Sequence, residues 1–149
     1  MTNIFKKHFV KPITILLLMI NSTLALAQIS IKDGYIREMP PGQKVSAAFM
    51  QLTNNTSDPM VLIGGFSELA SAIEVHQHKH VNGVMQMSKL NELVIQPNET
   101  VVLKPGGLHI MLMGLKQRLV KGTSFSFQLQ FADGRQQTLT LPVKSLINP

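Results

Sequence analysis
Ser124-Phe125-Ser126-Phe127-Gln128-Leu129-Gln130-Phe131, then Asp133-Gly134, then Gln136 to Val143, is the stretch that decides the fold class. Phe125, Phe127, Leu129 and Phe131 occupy every second position, with Ser124, Ser126, Gln128 and Gln130 between them. Successive side chains of a strand point to opposite faces, so this pattern makes one apolar and one polar face. Asp-Gly is a hairpin signal because glycine accepts the positive φ that a tight turn demands. The return strand repeats the alternation, Leu139 and Leu141 against Thr138 and Thr140. Each strand of this hairpin is expected to bury one face.

Working outward, the same short-period reading holds back to Ile29, and no window sustains a period of 3.6. Strands are predicted over Ile29 to Arg37, Ala47 to Thr53, Met60 to Phe66, Ala72 to His78, Val84 to Met87, Leu93 to Ile95, Val101 to Leu103, His109 to Leu115, Ser124 to Phe131 and Gln136 to Val143. Between them stand turn and loop signals: Met39-Pro40-Pro41-Gly42, Asn54 to Pro59, Asn82-Gly83, Gln96-Pro97-Asn98, Pro105-Gly106-Gly107 and Asp133-Gly134. The chain is read as all-β, a two-sheet sandwich or Greek-key barrel, in one domain over residues 28–149.

Residues 1–27 read as a secretory signal peptide. Lys6, Lys7 and Lys11 form a basic start, Ile13 to Ile20 an apolar run, and Ala25-Leu26-Ala27 a small-residue cleavage site, with cleavage expected after Ala27. Bounded by Pro12 and Asn21, the run is shorter than the roughly 20 apolar residues that cross a bilayer, so no stable membrane insertion is expected after cleavage. The three lysines of this segment supply half of the formal charge of +6. What remains is scattered, and with one tyrosine and no tryptophan the chain offers few stacking platforms. Nucleic acid is not an expected partner.

There are no cysteines, which excludes disulfides and thiolate metal sites. Methionines stand at 39, 50, 60, 85, 87, 111 and 113 of the exported part, the last four close together in sequence. In Pro105 to Leu115, Pro105-Gly106 suits the centre of a type II turn. The following strand then sends Ile110 and Leu112 to the core and His109, Met111 and Met113 to the face that a sandwich usually turns to solvent. Residues two apart on one face lie about 6.7 Å from each other, so His109 with Met111, Met85 with Met87, and His76 with His78 are three pairs able to share an ion. Singly, a methionine is more often a core filler and a histidine a solvated surface residue; His76, His78 and His80 beside Lys79 also read as a polar strand edge. The combination favours a metal, and thioethers with imidazoles favour copper(I) over zinc, calcium or magnesium.

The sequence resembles the periplasmic copper chaperones called PCu(A)C. Their motif is a histidine, ten residues, a methionine, twenty-one residues, then histidine, any residue, methionine, and His76, Met87, His109 and Met111 fit it without insertion. Gly34-Tyr35-Ile36-Arg37, Pro40-Pro41-Gly42-Gln43, Ala47-Ala48-Phe49, Leu52-Thr53-Asn54 and Gly83-Val84-Met85-Gln86-Met87 also look like family features. The resemblance implies a cupredoxin-like Greek-key β-sandwich in the periplasm. It implies that His76, Met87, His109 and Met111 bind one Cu(I), delivered to a copper-accepting protein such as a cytochrome c oxidase subunit or another copper chaperone. His78 stands where many relatives carry methionine, and the His- and Met-rich tail of some relatives is missing before Asn148-Pro149, so one principal site is expected. Met85 and Met113 are expected to be exposed and to contribute to a docking rim. Enzymatic activity is not expected, because Glu68, Glu74, Glu92, Glu99 and Asp133 show no pairing that suits acid-base work. Copper or silver storage or detoxification, and a metal-free binding module, are the rival readings.

Overall fold
The computed structural model describes residues 28–145; the segment expected to be a signal peptide and the Asn148-Pro149 end lie outside them, as do the side chains of His80 and Val81. Ten strands follow one another with no helix among the described residues: β1 (Ile29–Arg37), β2 (Val45–Asn54), β3 (Met60–Phe66), β4 (Ala72–Val81), β5 (Val84–Leu90), β6 (Leu93–Ile95), β7 (Thr100–Leu103), β8 (Leu108–Met113), β9 (Ser124–Phe131) and β10 (Gln136–Lys144). The architecture is all-β and cupredoxin-like, a flattened barrel whose opposed walls form the sandwich.

Alternation is what builds it. In β9 and β10, Phe127 pairs with Leu139 and Phe125 with Leu141, and all four are buried, while Ser126 and Thr140 pair outside through their hydroxyls at 2.8 Å. Each such aromatic or leucine side chain taken from water contributes about 1.5–3 kcal/mol. The strand order runs β4-β8-β2-β1-β10-β9-β3, and β3 returns to β4 through Gly65 and Ile73, which closes the ring. Glycine is required at that closure. A Cβ on Gly64 would lie 2.8 Å from the Ile73 carbonyl oxygen, and one on Gly65 would lie 2.9 Å from the Ile73 side chain. The interior is a single apolar cluster that includes Ile36, Leu52, Leu62, Val75, Ile110 and Leu129. Asn54, a fully buried polar side chain, donates to the carbonyls of Asp58 and Ile95 at 2.8 and 3.0 Å, and accepts from the Thr56 backbone N–H and hydroxyl. Met39, Met50 and Met60 are buried here as core fillers.

Two features place the site. First, β2 is shared lengthwise: β8 pairs with Val45 to Ala48 and β7 with Met50 to Thr53. The turn joining β7 to β8 is the expected one, with Gly106 at φ 74° and the Gly107 N–H donating to the Lys104 carbonyl at 3.1 Å. Second, β4 runs on beyond the ring and turns at Asn82-Gly83, both at positive φ, into β5, which pairs with β4 alone. This hairpin is longer than expected at both ends, to Val81 and to Leu90. By contrast β8 ends at Met113 rather than Leu115, because Gly114 turns to φ 59° where a Cβ would overlap the Ser71 side chain.

Candidate metal centre
On β4, Ile73 and Val75 face the core, so Glu74, His76 and His78 project from the opposite side. Across the ladder to β8, His109 stands opposite His76 and Met111 opposite Glu74. Across the ladder to β5, Met87 stands opposite His78 and Lys89 opposite His76. Side chains of directly opposed residues share a face, so three adjacent strands present these groups on one side. A cavity of 340 Å³ opens there. Met87, His78, His109, Met111 and Pro105 form one part of its wall, with Arg37, Val45 and Phe49 among the residues of the rest.

This face is not open to solvent as its alternation suggests. His109 is 3% exposed, because the rings of His78, His76 and Phe49 surround it at centroid distances of 5.0, 6.0 and 6.3 Å. Met111 and Met113 are half-buried, whereas Met85 and Met87 are exposed at 54% and 50%. The donors thus grade from the buried ring of His109 to the open thioether of Met87.

Hydrogen bonds fix which ring nitrogens are available. His109 Nδ1 lies 3.0 Å from the Gly107 carbonyl, which can only accept, so Nδ1 carries the proton and Nε2 keeps its lone pair. Burial lowers the His109 pKa, outweighing the Gly107 hydrogen bond, and keeps the ring neutral. His76 Nε2 lies 2.9 Å from Glu74 Oε2, and Lys89 Nζ lies 2.7 Å from Glu74 Oε1. The Lys89 ammonium and then the His76 ring hold the Glu74 carboxyl below its usual range. As a carboxylate it accepts from His76 Nε2–H, so Nδ1 of His76 holds the lone pair. That atom is buried with no hydrogen-bond partner among the described residues, and so is Nδ1 of His78. A metal-binding histidine is held in the same way, with one nitrogen on a carboxylate or carbonyl and the other uncommitted.

Of the four residues of the sequence motif, the structure brings Met87, His109 and Met111 to one cavity wall; His76 stands behind it, next to His109. Met85 and Met113 are not brought together. Met85 pairs with His80 near the hairpin tip and Met113 with Ala72 at the other end of β4, so the expectation that they share a docking rim is corrected. Eight residues of strand, about 26 Å, separate those positions. Among the described residues no three His, Asp or Glu side chains already close on one point, so any ion here depends on thioethers or on ring movement. Sequence reasoning missed Glu74 and Lys89. The signal was present, since Glu74 lies two residues before His76 on the same strand face.

Comparison with known proteins agrees with this architecture. The family model described as "Putative lipoprotein LpqE-like" matches residues 29–143. "Putative lipoprotein Lxx21020" of Leifsonia xyli is 36% identical over 104 residues, 69% of this chain; the chain spans only 63% of the length of that curated relative. The solution structure of the Cu(I) form of DR1885 from Deinococcus radiodurans is 30% identical with a TM-score of 0.64, covering 86% of this chain and 84% of that one. The copper-bound PCuAC domain of PmoF2 has the same fold at 21% identity and a TM-score of 0.66, covering 81% of this chain and 96% of that domain. The match over nearly all the described strands, together with a relative of this identity sharing the fold, shows that the chain belongs to the LpqE-like family of PCu(A)C proteins.

Proposed function
We propose that the chain is an exported copper chaperone that binds one Cu(I) through His76, Met87, His109 and Met111 and hands it to an acceptor protein in the periplasm, a cytochrome c oxidase subunit or another chaperone. The observation that carries this reading is the pairing of a buried, neutral His109, with Nε2 uncommitted, and two thioethers on the wall of one cavity. Imidazole and thioether are soft enough for Cu(I), and the donor set holds no anion. The ion therefore keeps a charge of +1 and is retained by donation rather than by ion pairing. The Cu(I) form of the 30% identical DR1885 supports the choice of ion.

The gradation of exposure suits transfer. Met87 is half exposed and sits on a strand with one neighbour, so an incoming thiolate reaches the ion from its side. A copper–sulfur bond to the acceptor thiolate, whose proton has already passed to solvent, would form as the bond to Met87 breaks; the Met87 thioether leaves neutral and the oxidation state is unchanged. His109, buried and tied to Gly107, would be the last donor released.

Competition for Cu(I) against a colourimetric chelator tests the reading. Met87→Ala and Met111→Ala should each weaken binding by more than about tenfold. Met85→Ala and Met113→Ala should leave it nearly unchanged. Wild-type protein that takes no Cu(I) from the chelator, or ligand variants that bind as tightly as wild type, would refute it.

A further inference from the structure
Three imidazole rings neighbour one another here, and two of them, His78 and His109, line the cavity. His78 is the nearer neighbour of His109, with ring centroids 5.0 Å apart against 6.0 Å for His76, and it lines the cavity wall with Met87, His109 and Met111, which His76 does not. Its Nδ1 is buried without a hydrogen-bond partner among the described residues. Leaving such an atom unsatisfied is costly, and a solvated strand edge would avoid it. The backbone sets its position: His78 N–H donates at 3.2 Å to the Gly107 carbonyl that also accepts from His109 Nδ1. One carbonyl thereby fixes the spacing of the two rings.

We propose that His78 is a third imidazole ligand of this site and that it equips the chain to bind Cu(II) as well as Cu(I). Cu(II) prefers imidazole nitrogen to thioether, and His76, His78 and His109 supply a three-nitrogen set. Met87 and Met111 then serve the reduced ion, and His109 is common to both sets. The rings of His76 and His78 turn their uncommitted Nδ1 atoms toward the ion, and Glu74 follows His76 Nε2 as that ring moves. No electron transfer is involved, since the oxidised ion is bound as such. The inference rests on the proposed location of the copper site but not on the Cu(I) reading of it.

Electron paramagnetic resonance with electron spin echo envelope modulation, on full-length exported protein loaded with one equivalent of Cu(II), counts the equatorial nitrogens. Wild type should show three, and His78→Met and His78→Asn two. Cu(II) affinity should fall by about tenfold or more in both variants while Cu(I) affinity stays within about threefold. Circular dichroism confirms that the variants are folded. Two nitrogens in wild type, no uptake of Cu(II), or three nitrogens retained in both variants would overturn the proposal. Cu(I) competition on the same wild-type sample reports separately on the Cu(I) reading, so the two fail independently.

Discussion

The β9–β10 and β4–β5 hairpins are built alike and used differently. Both are antiparallel, and both close through a residue followed by glycine, Asp133-Gly134 and Asn82-Gly83. In the first, Phe125, Phe127, Leu129, Leu139 and Leu141 are all buried. In the second, six of the seven residues of β5 are exposed, Val84, Met85 and Met87 among them. The cause is topology rather than composition. β9 and β10 lie inside the closed ring, between β3 and β1, and face an opposite wall; β5 lies outside it with β4 as its one neighbour. Apolar side chains of the first hairpin therefore contribute folding free energy, as Ile73 and Val75 of β4 do, whereas those of β5 contribute little and its thioethers are free to serve as donors.

The largest test of that division is Phe127→Ala, which removes a side chain that is 2% exposed. It should cost about 3–5 kcal/mol in denaturant unfolding, yet leave the Cu(I) bound per folded molecule unchanged. Met87→Ala should do the reverse, weakening copper binding by more than about tenfold while stability moves by less than about 0.5 kcal/mol. Early thermal melting of that variant would show that β5 supports the fold after all. Between these lies Glu74→Gln, which keeps the size of the side chain but loses the carboxylate that orients His76. Cu(I) affinity should drop by about tenfold, and calorimetric stability should change little, since the Glu74 and Lys89 contact is at the surface.

The smallest expected effect concerns protons. Burial depresses the His109 pKa in the folded chain, so on acidification from about pH 6.5 the unfolded state takes up this proton first. Unfolding free energy of the copper-free protein should then decline as pH falls below that value, until the folded-state pKa is passed. Replacing His109 by Leu should flatten this slope over the same window. An identical slope in the variant would place the pH dependence elsewhere.

Strand positions were legible wherever an apolar face met a wall. Ile29–Arg37, Met60–Phe66, Leu93–Ile95 and Ser124–Phe131 have the bounds their alternation predicts. The ends of the β4–β5 hairpin were not, because Lys79 to Val81 and Ser88 to Leu90 carry no apolar alternation and are held by backbone pairing carried on from the Asn82-Gly83 turn. Alternation did show that His109 and Met111 share a face opposite Ile110 and Leu112. It could not show that this face is covered, since the cover comes from Phe49 on β2 and from His76 and His78 on β4. Ring closure was equally hidden: Gly64-Gly65 marks a close backbone approach, but the partner, Ile73, is set by the three-dimensional path alone.

X-ray absorption at the copper edge of the Cu(I)-loaded protein counts the neighbours of the ion without reference to affinity. Two sulfur and two nitrogen scatterers, with one sulfur lost in Met87→Ala and one in Met111→Ala, is the result expected from thioethers and imidazoles meeting at this cavity. A first shell without sulfur, or one unaltered by either substitution, would contradict it.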